Sequence, residues 1–217
     1  MRVLCGGILV LLLAIPASAA VIHVPGDQPT VQAGIDAALA GDEVIVACGT
    51  YLEHDIQMKS GITLRSETGA ADCVTLDARQ LGRVMVGLNL DENTLISGIT
   101  FTGGTIGEEE LNGGAARFED CALTIEQCRF TGNYAYYKGA GIQFISSPAQ
   151  LRHCLFDANN GENGGGGGIS AYYSNLEISD CRFENNEGID GAAMILSHSD
   201  PLIERCVIPG DPIGLGR

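Results

Sequence analysis

Apolar and polar residues alternate within short segments along most of the chain, and a turn ends each segment. The stretch "LEISDCRF", residues 176–183, is typical. Leu176 and Ile178 fall on one face, the chain turns, and Cys181 and Phe183 again share a face. Alternation with a period of two indicates β-strands that are buried on one side. The pattern therefore predicts many very short strands.

These alternating segments recur at a nearly fixed interval, which identifies an internal repeat. Four cysteines stand 26, 27 and 25 residues apart, and a glycine-led phrase begins 15 residues before each of them. The phrases are "GGAARF", "GAGIQF", "GGGISA" and "GAAMIL", and the variation in length falls just before them. The segment from the glycine-led phrase to the cysteine has a constant length, and only one loop per repeat varies. This arrangement is typical of the coils of a solenoid. We predict three strands per coil, with successive coils paired in parallel at roughly 4.8 Å.

Equivalent residues of a solenoid stack in rows, so the repeat predicts three ladders. They are an inward cysteine row, an inward phenylalanine row and an asparagine row at a turn: Cys128, Cys154, Cys181 and Cys206; Phe130, Phe156 and Phe183; Asn133, Asn159 and Asn186. Asparagine tolerates the left-handed backbone of a tight turn, and stacked amides can hydrogen-bond to each other. Four thiols in line cannot converge tetrahedrally on one ion, so we interpret the cysteines as small buried apolar groups.

The beginning of the repeat region predicts a cap. The stretch "PTVQAGIDAALAGDEV" places apolar residues on one helical face, namely Val31, Ile35, Ala38 and Leu39, and Gly41 stops the helix. We predict a short capping helix near residues 30–40 that covers the open end of the first coil. No such element follows the last coil. We expect either a partner at that end or a sequence that is truncated at its C-terminus, and favour the truncation.

The N-terminal residues predict export. The run "MRVLCGGILVLLLAIPASAA" combines one arginine, an apolar stretch and a small-residue "ASA" site, which is typical of a secretory signal peptide over residues 1–19. An uncleaved anchor is the alternative, although the run is short for a membrane span. We therefore expect residues 20–217 to form one domain that is secreted, either extracellular or on the cell surface, with the periplasm as a further option. No later segment has the length and apolarity of a transmembrane helix.

The formal net charge of −15, about −16 after signal removal, narrows the choice of partners. It disfavours nucleic acid, because a polyanion needs a positive surface. It leaves room for Ca²⁺, which takes carboxylate ligands, although the sequence requires no cofactor. Asp157 and Glu184 share a row and are the candidate ligands, with Asn160, Glu162 and Glu187 near them. No calcium-loop motif accompanies them, so a pair of solvated carboxylates is the alternative.

Export also changes how the cysteines are interpreted. Seven of them remain after signal removal, an odd number, so at least one is free or pairs between chains. Cys48 and Cys73 lie one coil apart, beside the turns "ACGTY" and "ADCVT". We predict a disulfide between these two, with free thiols as the alternative.

Tyrosines cluster in two turns. "NYAYYKG" holds Tyr136, Tyr137 and Lys138, and "SAYYSN" holds Tyr172 and Tyr173. Tyrosine combines an apolar ring with a polar tip, which suits a partly exposed recognition surface on which sugar rings can lie. We predict a polysaccharide or surface glycan as the partner of these residues. The alternative is that the rings shield the ends of the core, and the pattern favours no particular oligomeric state.

The segment "PTVQAGIDAALAGDEVIVACGTYLEHDIQMKSGITLRS", residues 29–66, resembles the entry of secreted right-handed parallel β-helix proteins of the pectate-lyase-like superfamily. In those proteins a capping helix leads into "GDxVxVxxGTYxE" and an "ITLxS"-type strand. The later "GGA" and "FxxN" phrases resemble the repeats of polymorphic outer-membrane protein passengers. The resemblance implies an all-β, right-handed parallel β-helix, which we expect to have about six or seven coils.

The same resemblance implies both polysaccharide-active enzymes and non-catalytic surface proteins, and fold alone does not separate them. The sequence lacks the "GRPW"-like segment of pectin methylesterases, the "NTD…DD…GHG…RIK" series of polygalacturonases and a lyase-type arginine motif. Our leading hypothesis is therefore a non-catalytic extracellular or cell-surface module that binds polysaccharide. The alternative is a polysaccharide lyase or glycoside hydrolase whose active site is unrecognised or missing.

Overall fold

A computed structural model describes residues 19–109, 112–210 and 212–216. In these ranges the chain forms one α-helix, α1 (Val31–Ala37), and 25 short β-strands. The strands wind into seven coils and lie in four parallel sheets, which we name A to D. The predicted signal peptide lies almost wholly outside the described residues.

Each sheet collects one strand from successive coils. Sheet A contains β1 (Val21–Val24), β2 (Glu43–Val46), β5 (Thr63–Ser66), β8 (Leu95–Ser97), β12 (Thr124–Glu126), β16 (Gln150–Arg152), β20 (Glu177–Ser179) and β24 (Leu202–Glu204). Sheet B contains β3 (Gly49–Tyr51), β6 (Val74–Asp77), β9 (Ile99–Thr102), β13 (Arg129–Thr131), β17 (Leu155–Asp157) and β21 (Arg182–Glu184). Sheet C contains β4 (Ile56–Gln57), β7 (Met85–Leu88), β11 (Ala116–Glu119), β15 (Ile142–Ile145), β19 (Ile169–Tyr172), β23 (Met194–Ser197) and β25 (Ile213–Gly216). Sheet D contains β10 (Thr105–Ile106), β14 (Tyr134–Ala135), β18 (Asn160–Gly161) and β22 (Glu187–Gly188).

A full coil passes through sheets A, B, D and C in that order. Neighbouring coils pair in parallel and in register, so that Phe130 is opposite Phe156, and Phe156 is opposite Phe183. The predicted parallel β-helix of six or seven coils is confirmed. The prediction of three strands per coil was wrong for the middle coils. There the backbone after the asparagine turn stays extended long enough to add the two-residue strands of sheet D.

Helix α1 covers the first coil, as its amphipathic pattern predicts. The side chain of Thr30 accepts the N–H of Ala33 at 3.1 Å, and Glu53 accepts the N–H of Val31 at 2.8 Å, so the first turn is capped. Val31 and Ile35 are buried against the first strands. Leu39 was predicted on the buried face but is 68% exposed, because the helix ends at Ala37.

Stacked phenylalanines form the axis of the core. The rings of Phe101, Phe130, Phe156 and Phe183 follow one another with centroids 4.8, 5.0 and 4.8 Å apart. All four are fully buried. Burying one such side chain contributes roughly 1.5–3 kcal/mol relative to leaving it exposed. The inward phenylalanine row is therefore continuous over four coils.

The asparagine row is a buried ladder of amides. Asn133 Nδ2 donates to Asn159 Oδ1 at 3.0 Å, and Asn159 Nδ2 donates to Asn186 Oδ1 at 3.0 Å. The same two oxygens accept the backbone N–H groups of Asn133 and Asn159 at 3.2 Å. The left-handed residue is the preceding one, for example Ala158 with φ 52°. The predicted hydrogen bonding between stacked amides is therefore confirmed, whereas the predicted left-handed backbone was wrong for these asparagines, because it belongs to the residue before each of them.

Two further corners of the coil follow the same rule with different side chains. The N–H of Cys154 points to Cys181 Sγ at 3.4 Å, and the N–H of Ser147 donates to Ser174 Oγ at 3.0 Å. Each of these corners also follows a left-handed residue, such as His153. At each of these three kinds of corner a side chain from the next coil thus accepts a backbone N–H. The serine row was missed in the sequence, since serines are common in turns.

The amide ladder yields a test of what holds the coils together. We expect Asn159→Ala to lower the free energy of unfolding by about 3 kcal/mol, because it removes the buried acceptor of the Asn133 N–H and amide and one of the two donors to Asn186 Oδ1. Urea unfolding followed by circular dichroism measures the change. The control is Asn160→Ala, which removes an exposed hydrogen bond to Glu187 in the same coil and should cost less than about 0.5 kcal/mol. Equal losses would contradict the ladder.

Candidate functional site

The outer side of sheet C carries two rows of side chains. The first row runs through Arg117, Gln143, Ser170 and Ile195, and the second runs through Leu88, Glu119, Ile145, Tyr172 and Ser197. Gln143, Ser170 and Ile195 are buried although they lie on the outer side, whereas Leu88 and Tyr172 are exposed. Only the second row therefore offers an open surface over the whole sheet.

Glycine turns cover the first row. Gly139 and Gly166 both have φ +67°, a left-handed conformation that favours glycine. A Cβ at Gly139 would lie 3.0 Å from Ser170 Cβ, and a Cβ at Gly166 would lie 2.9 Å from Ile195 Cγ2. The glycines of the repeat thus allow the turn to pack closely against sheet C. The turn thereby covers the first row and leaves the second row open.

An exposed aromatic corner lies beside the second row, at the ends of β19 and β23, and is formed by Tyr172, Tyr173 and His198. The two tyrosines are 44% and 54% exposed. Ring centroids are 4.5 Å apart for Tyr172 and Tyr173, and 4.6 Å apart for Tyr173 and His198, whose rings stack. A hydrogen bond to Tyr173 raises the pKa of Tyr172. The sequence indicated the tyrosines but missed His198, which the repeat spacing would have placed one coil after Tyr173.

The second tyrosine group lies at the other end of the sheet C strands. Tyr136, Tyr137 and Lys138 belong to the loop that leads from sheet D into β15. Lys138 Nζ lies 4.9 Å from the centroid of the Tyr137 ring. The carboxylate of Glu108 raises the pKa of Tyr136. The two predicted tyrosine groups therefore flank sheet C from opposite ends and do not form one cluster among the described residues.

A cleft of about 260 Å³ opens on the same face in the earlier coils. Its lining consists of Gln57, Arg83, Val86, Gly87, Leu88, Arg117 and Glu119. Arg117 Nη2 is 2.9 Å from Glu119 Oε2, and Arg83, which is 6% exposed, donates from Nη2 to the carbonyl of Asn112 at 3.0 Å. Guanidinium groups supply several donors in a fixed plane. The sequence did not indicate this cleft, because its two arginines come from different coils.

The carboxylates proposed for Ca²⁺ lie side by side but already have protein partners. Asp157 and Glu184 are register neighbours in sheet B. Asn185 donates to Asp157 Oδ1 at 2.8 Å, and Arg182 Nε lies 2.6 Å from Glu184 Oε2. These partners offset the repulsion between the two carboxylates, which was the reason for predicting a bound cation here. Calcium binding here remains a prediction.

Three further residues named with this pair lie on sheet D or beside it: Asn160, Glu162 and Glu187. Asn160 donates to Glu187 Oε2 at 2.8 Å, and the hydroxyl of Tyr134 donates to Glu162. The latter hydrogen bond raises the pKa of Tyr134 to about 12. The group is thus divided between two sheets and does not converge on one point.

The cysteines fall into two classes. Cys48 and Cys73 form a disulfide with their Cα atoms 4.5 Å apart, at an outer corner of the first two coils. The other described cysteines are free: Cys121, Cys128, Cys154, Cys181 and Cys206. Burial raises the pKa of Cys128 to about 12, so this thiol is protonated and unreactive at neutral pH. Cys121, which the sequence analysis did not place, starts the serine row by donating its N–H to Ser147 Oγ at 3.0 Å.

The comparisons with known proteins identify the family. Residues 57–209 match the model of the right handed beta helix region, so the chain belongs to the right-handed β-helix family. No curated protein sequence is similar enough to count as a relative. In the described part of the chain, no helix has the length and apolarity needed to cross a membrane.

Solved structures of two other proteins are similar in fold. One is a putative glycosyl hydrolase from Parabacteroides merdae, with 15% identity, a TM-score of 0.55, and coverage of 81% of this chain and 84% of that chain. The other is the pectin methylesterase from Aspergillus niger, with 13% identity, a TM-score of 0.43, and coverage of 90% and 86%. At these identities the likeness shows the fold alone.

The buried thiols predict a pH dependence of stability. The folded state holds the proton of Cys128 up to about pH 12, whereas an unfolded cysteine loses it near pH 9. Stability from this thiol is therefore complete below about pH 9 and is lost as the pH rises towards about 12. Urea unfolding at pH values from about 8 to 11 should show a shallower decline for Cys128→Ala than for the wild type. A Cys206→Ala variant, at the partly exposed end of the row, should change the slope of stability against pH less than Cys128→Ala does. A larger change in Cys206→Ala than in Cys128→Ala would refute the prediction.

The disulfide predicts a contribution to stability that reduction removes. It closes a loop with a sequence separation of 25 residues. In the chain-entropy model such a loop corresponds to about 3.5 kcal/mol. We expect the Cys48→Ser/Cys73→Ser double variant to lose about that free energy of unfolding. Cys206→Ser in an otherwise unchanged chain is the control, and a double variant as stable as this control would contradict the assignment.

Proposed function

We propose that this chain is a non-catalytic module of an extracellular or cell-surface protein and that it binds polysaccharide along the outer face of sheet C. The observation that carries the proposal is the exposed aromatic corner of Tyr172, Tyr173 and His198. Aromatic rings present apolar faces to the C–H side of a sugar, while their polar tips remain available to its hydroxyls. The signal-like N-terminus supports the exported location.

The open row connects this corner to the cleft. Glu119 pairs with Ile145, and Ile145 pairs with Tyr172, so the cleft and the corner are two coil steps apart. Two steps correspond to roughly 10 Å along the axis. A polysaccharide that runs along the solenoid can therefore contact Arg117 of the cleft with one sugar unit and the aromatic corner with another. Repeated units matched by repeated coils are typical of solenoid binding faces.

The charges on this face support binding over catalysis. Glycoside hydrolysis commonly uses two carboxyl groups that flank the scissile bond. Among the described residues that line the cleft, Glu119 is the single carboxylate, and Arg117 pairs with it at 2.9 Å. The face therefore offers hydrogen bonds and ring contacts, without a pair of catalytic carboxyl groups.

Glycoside hydrolysis is the second candidate function, and it would use another place. A cleft of about 360 Å³ is lined by Asp55, Glu108 and Glu109 together with Leu81, Gly82, β10 and Gly107. His54 Nδ1 lies 2.9 Å from Asp55 Oδ2, so an imidazole is held at its edge. Several carboxylates around one cleft are what general acid and base catalysis needs. The two functions thus map to different surfaces and can be separated by mutation.

The test is a binding screen of the purified protein against neutral and acidic polysaccharides, with and without Ca²⁺. For a polysaccharide that binds, we expect Tyr172→Ala/Tyr173→Ala to weaken affinity at least about tenfold, which corresponds to roughly 1.4 kcal/mol. Tyr134→Ala, on sheet D, is the matched control and should leave affinity within about twofold. Circular dichroism checks that both variants fold.

Two outcomes would overturn the proposal. Absence of binding to every polysaccharide would remove both glycan functions. Release of reducing ends or unsaturated product, lost in Asp55→Asn and Glu108→Gln but retained in the Tyr172→Ala/Tyr173→Ala variant, would replace the binding module by the enzyme.

A further inference from the structure

Two cysteines and a carboxylate meet at an exposed corner of the first two coils. Cys48 directly precedes β3, Cys73 directly precedes β6, and Glu67 directly follows β5. The two sulfurs and one carboxylate oxygen of Glu67 all lie within 4.8 Å of one another. Within the described ranges, these three residues form the one group of at least three histidine, cysteine or acidic side chains that is so close.

The main chain holds the carboxylate beside the sulfurs. Glu67 Oε1 accepts the backbone N–H of Cys48 at 2.7 Å. The N–H of Gly49 donates to the carbonyl of Cys73 at 2.8 Å, which keeps the two cysteines opposite each other. The backbone of Glu67 is fixed as well, because its N–H donates to the carbonyl of Val46 at 2.9 Å. The three donor groups are therefore positioned by the coil pairing and do not depend on the disulfide alone.

Their chemistry matches a zinc-type ion. Zn²⁺ takes thiolate and carboxylate ligands in tetrahedral sites, and three protein ligands leave the fourth position to water. At a Zn–S distance of about 2.3 Å, two tetrahedral ligands lie roughly 3.8 Å apart. Cysteines whose Cα atoms are 4.5 Å apart can place their sulfurs at that separation by rotating their side chains. We propose that Cys48, Cys73 and Glu67 bind a Zn²⁺-like ion when the disulfide is reduced, so that either a covalent bond or a metal joins the first two coils.

The chemical steps balance. A dithiol reductant gives up two electrons and two protons and becomes a cyclic disulfide, while the Cys48–Cys73 bond breaks to two thiols. The metal ion then displaces both thiol protons and forms two metal–sulfur bonds, and Glu67 adds a carboxylate oxygen. Two thiolates and one carboxylate around Zn²⁺ leave the site with one negative charge. Deprotonation on binding makes the affinity increase with pH.

Exposure distinguishes this corner from the inward cysteine row. Cys48 and Glu67 are exposed and Cys73 is partly exposed, so a reductant and an ion can reach them. Cys128, Cys154 and Cys181, by contrast, are fully buried. All these cysteines lie at the same corner of the coil. Cys48 and Cys73 stand one position earlier in the register than the inward row, so their side chains point outward, whereas those of the later coils point inward.

Cobalt titration tests the site directly. The full protein is treated with a dithiol, the reductant is removed without oxygen, and Co²⁺ is added as an optical substitute for Zn²⁺. We expect a thiolate-to-cobalt charge-transfer band that saturates at one ion per chain and disappears when Zn²⁺ is added. The oxidised protein should show no such band. Absence of the band from reduced protein that remains folded by circular dichroism would overturn the proposal.

Variants assign the ligands. Cys48→Ser should abolish the band, and Glu67→Gln should weaken Co²⁺ binding at least about tenfold. Cys206→Ser removes the most accessible of the other described thiols and should leave the band unchanged. Zn²⁺ should also raise the melting temperature of reduced wild type but not of reduced Cys48→Ser, which covers the case in which reduction destabilises the fold. A band retained in Cys48→Ser, or full affinity in Glu67→Gln, would show that the ion is bound elsewhere.

Discussion

The corners, the side-chain rows and the outer surface of this molecule all depend on the pairing of one coil with the next at a fixed distance and in register. Within the strands, backbone N–H groups meet carbonyl groups of the neighbouring coil. At the corners a left-handed residue turns the chain, and the next N–H cannot reach a carbonyl. Asparagine, cysteine and serine side chains from the following coil accept it instead, as Asn186, Cys181 and Ser174 do. Because buried N–H groups are costly when unpaired, these corner acceptors stabilise the turns between the strands of a coil.

The same register determines the chemistry of the cysteines. A thiol that points inward at a corner is a small apolar group with a weak acceptor, and burial keeps it protonated, as in Cys128. One position earlier, at the outward place used by Cys48 and Cys73, the same side chain is exposed and pairs across two coils. Reactivity in this chain is thus decided by which side of the backbone a cysteine occupies. The alternation of inward and outward residues also organises the outer surface of sheet C. The glycine turns cover the first outward row and leave the second row open, between the arginine cleft and the aromatic corner.

The sequence predicted those features that repeat with the coil. The interval between cysteines, the alternation of "LEISDCRF" and the helical pattern from Val31 to Ile35 are sufficient for a capped parallel β-helix with phenylalanine and asparagine rows. The candidate surface was predicted only in part. Tyr172 and Tyr173 stood out as neighbours in the chain, whereas His198 joins them from the following coil, and Arg83 and Arg117 line one cleft from adjacent coils.

What the sequence alone determined is therefore the period, the inside and outside of each strand and the cap, because stacking repeats these along the chain. The tertiary structure decided the fourth sheet, the path of the glycine turns over Ser170 and Ile195, and the position of Glu67 beside the disulfide. These contacts depend on how variable loops cross a corner. No periodicity encodes that path, since its geometry is set only once neighbouring coils have packed against each other.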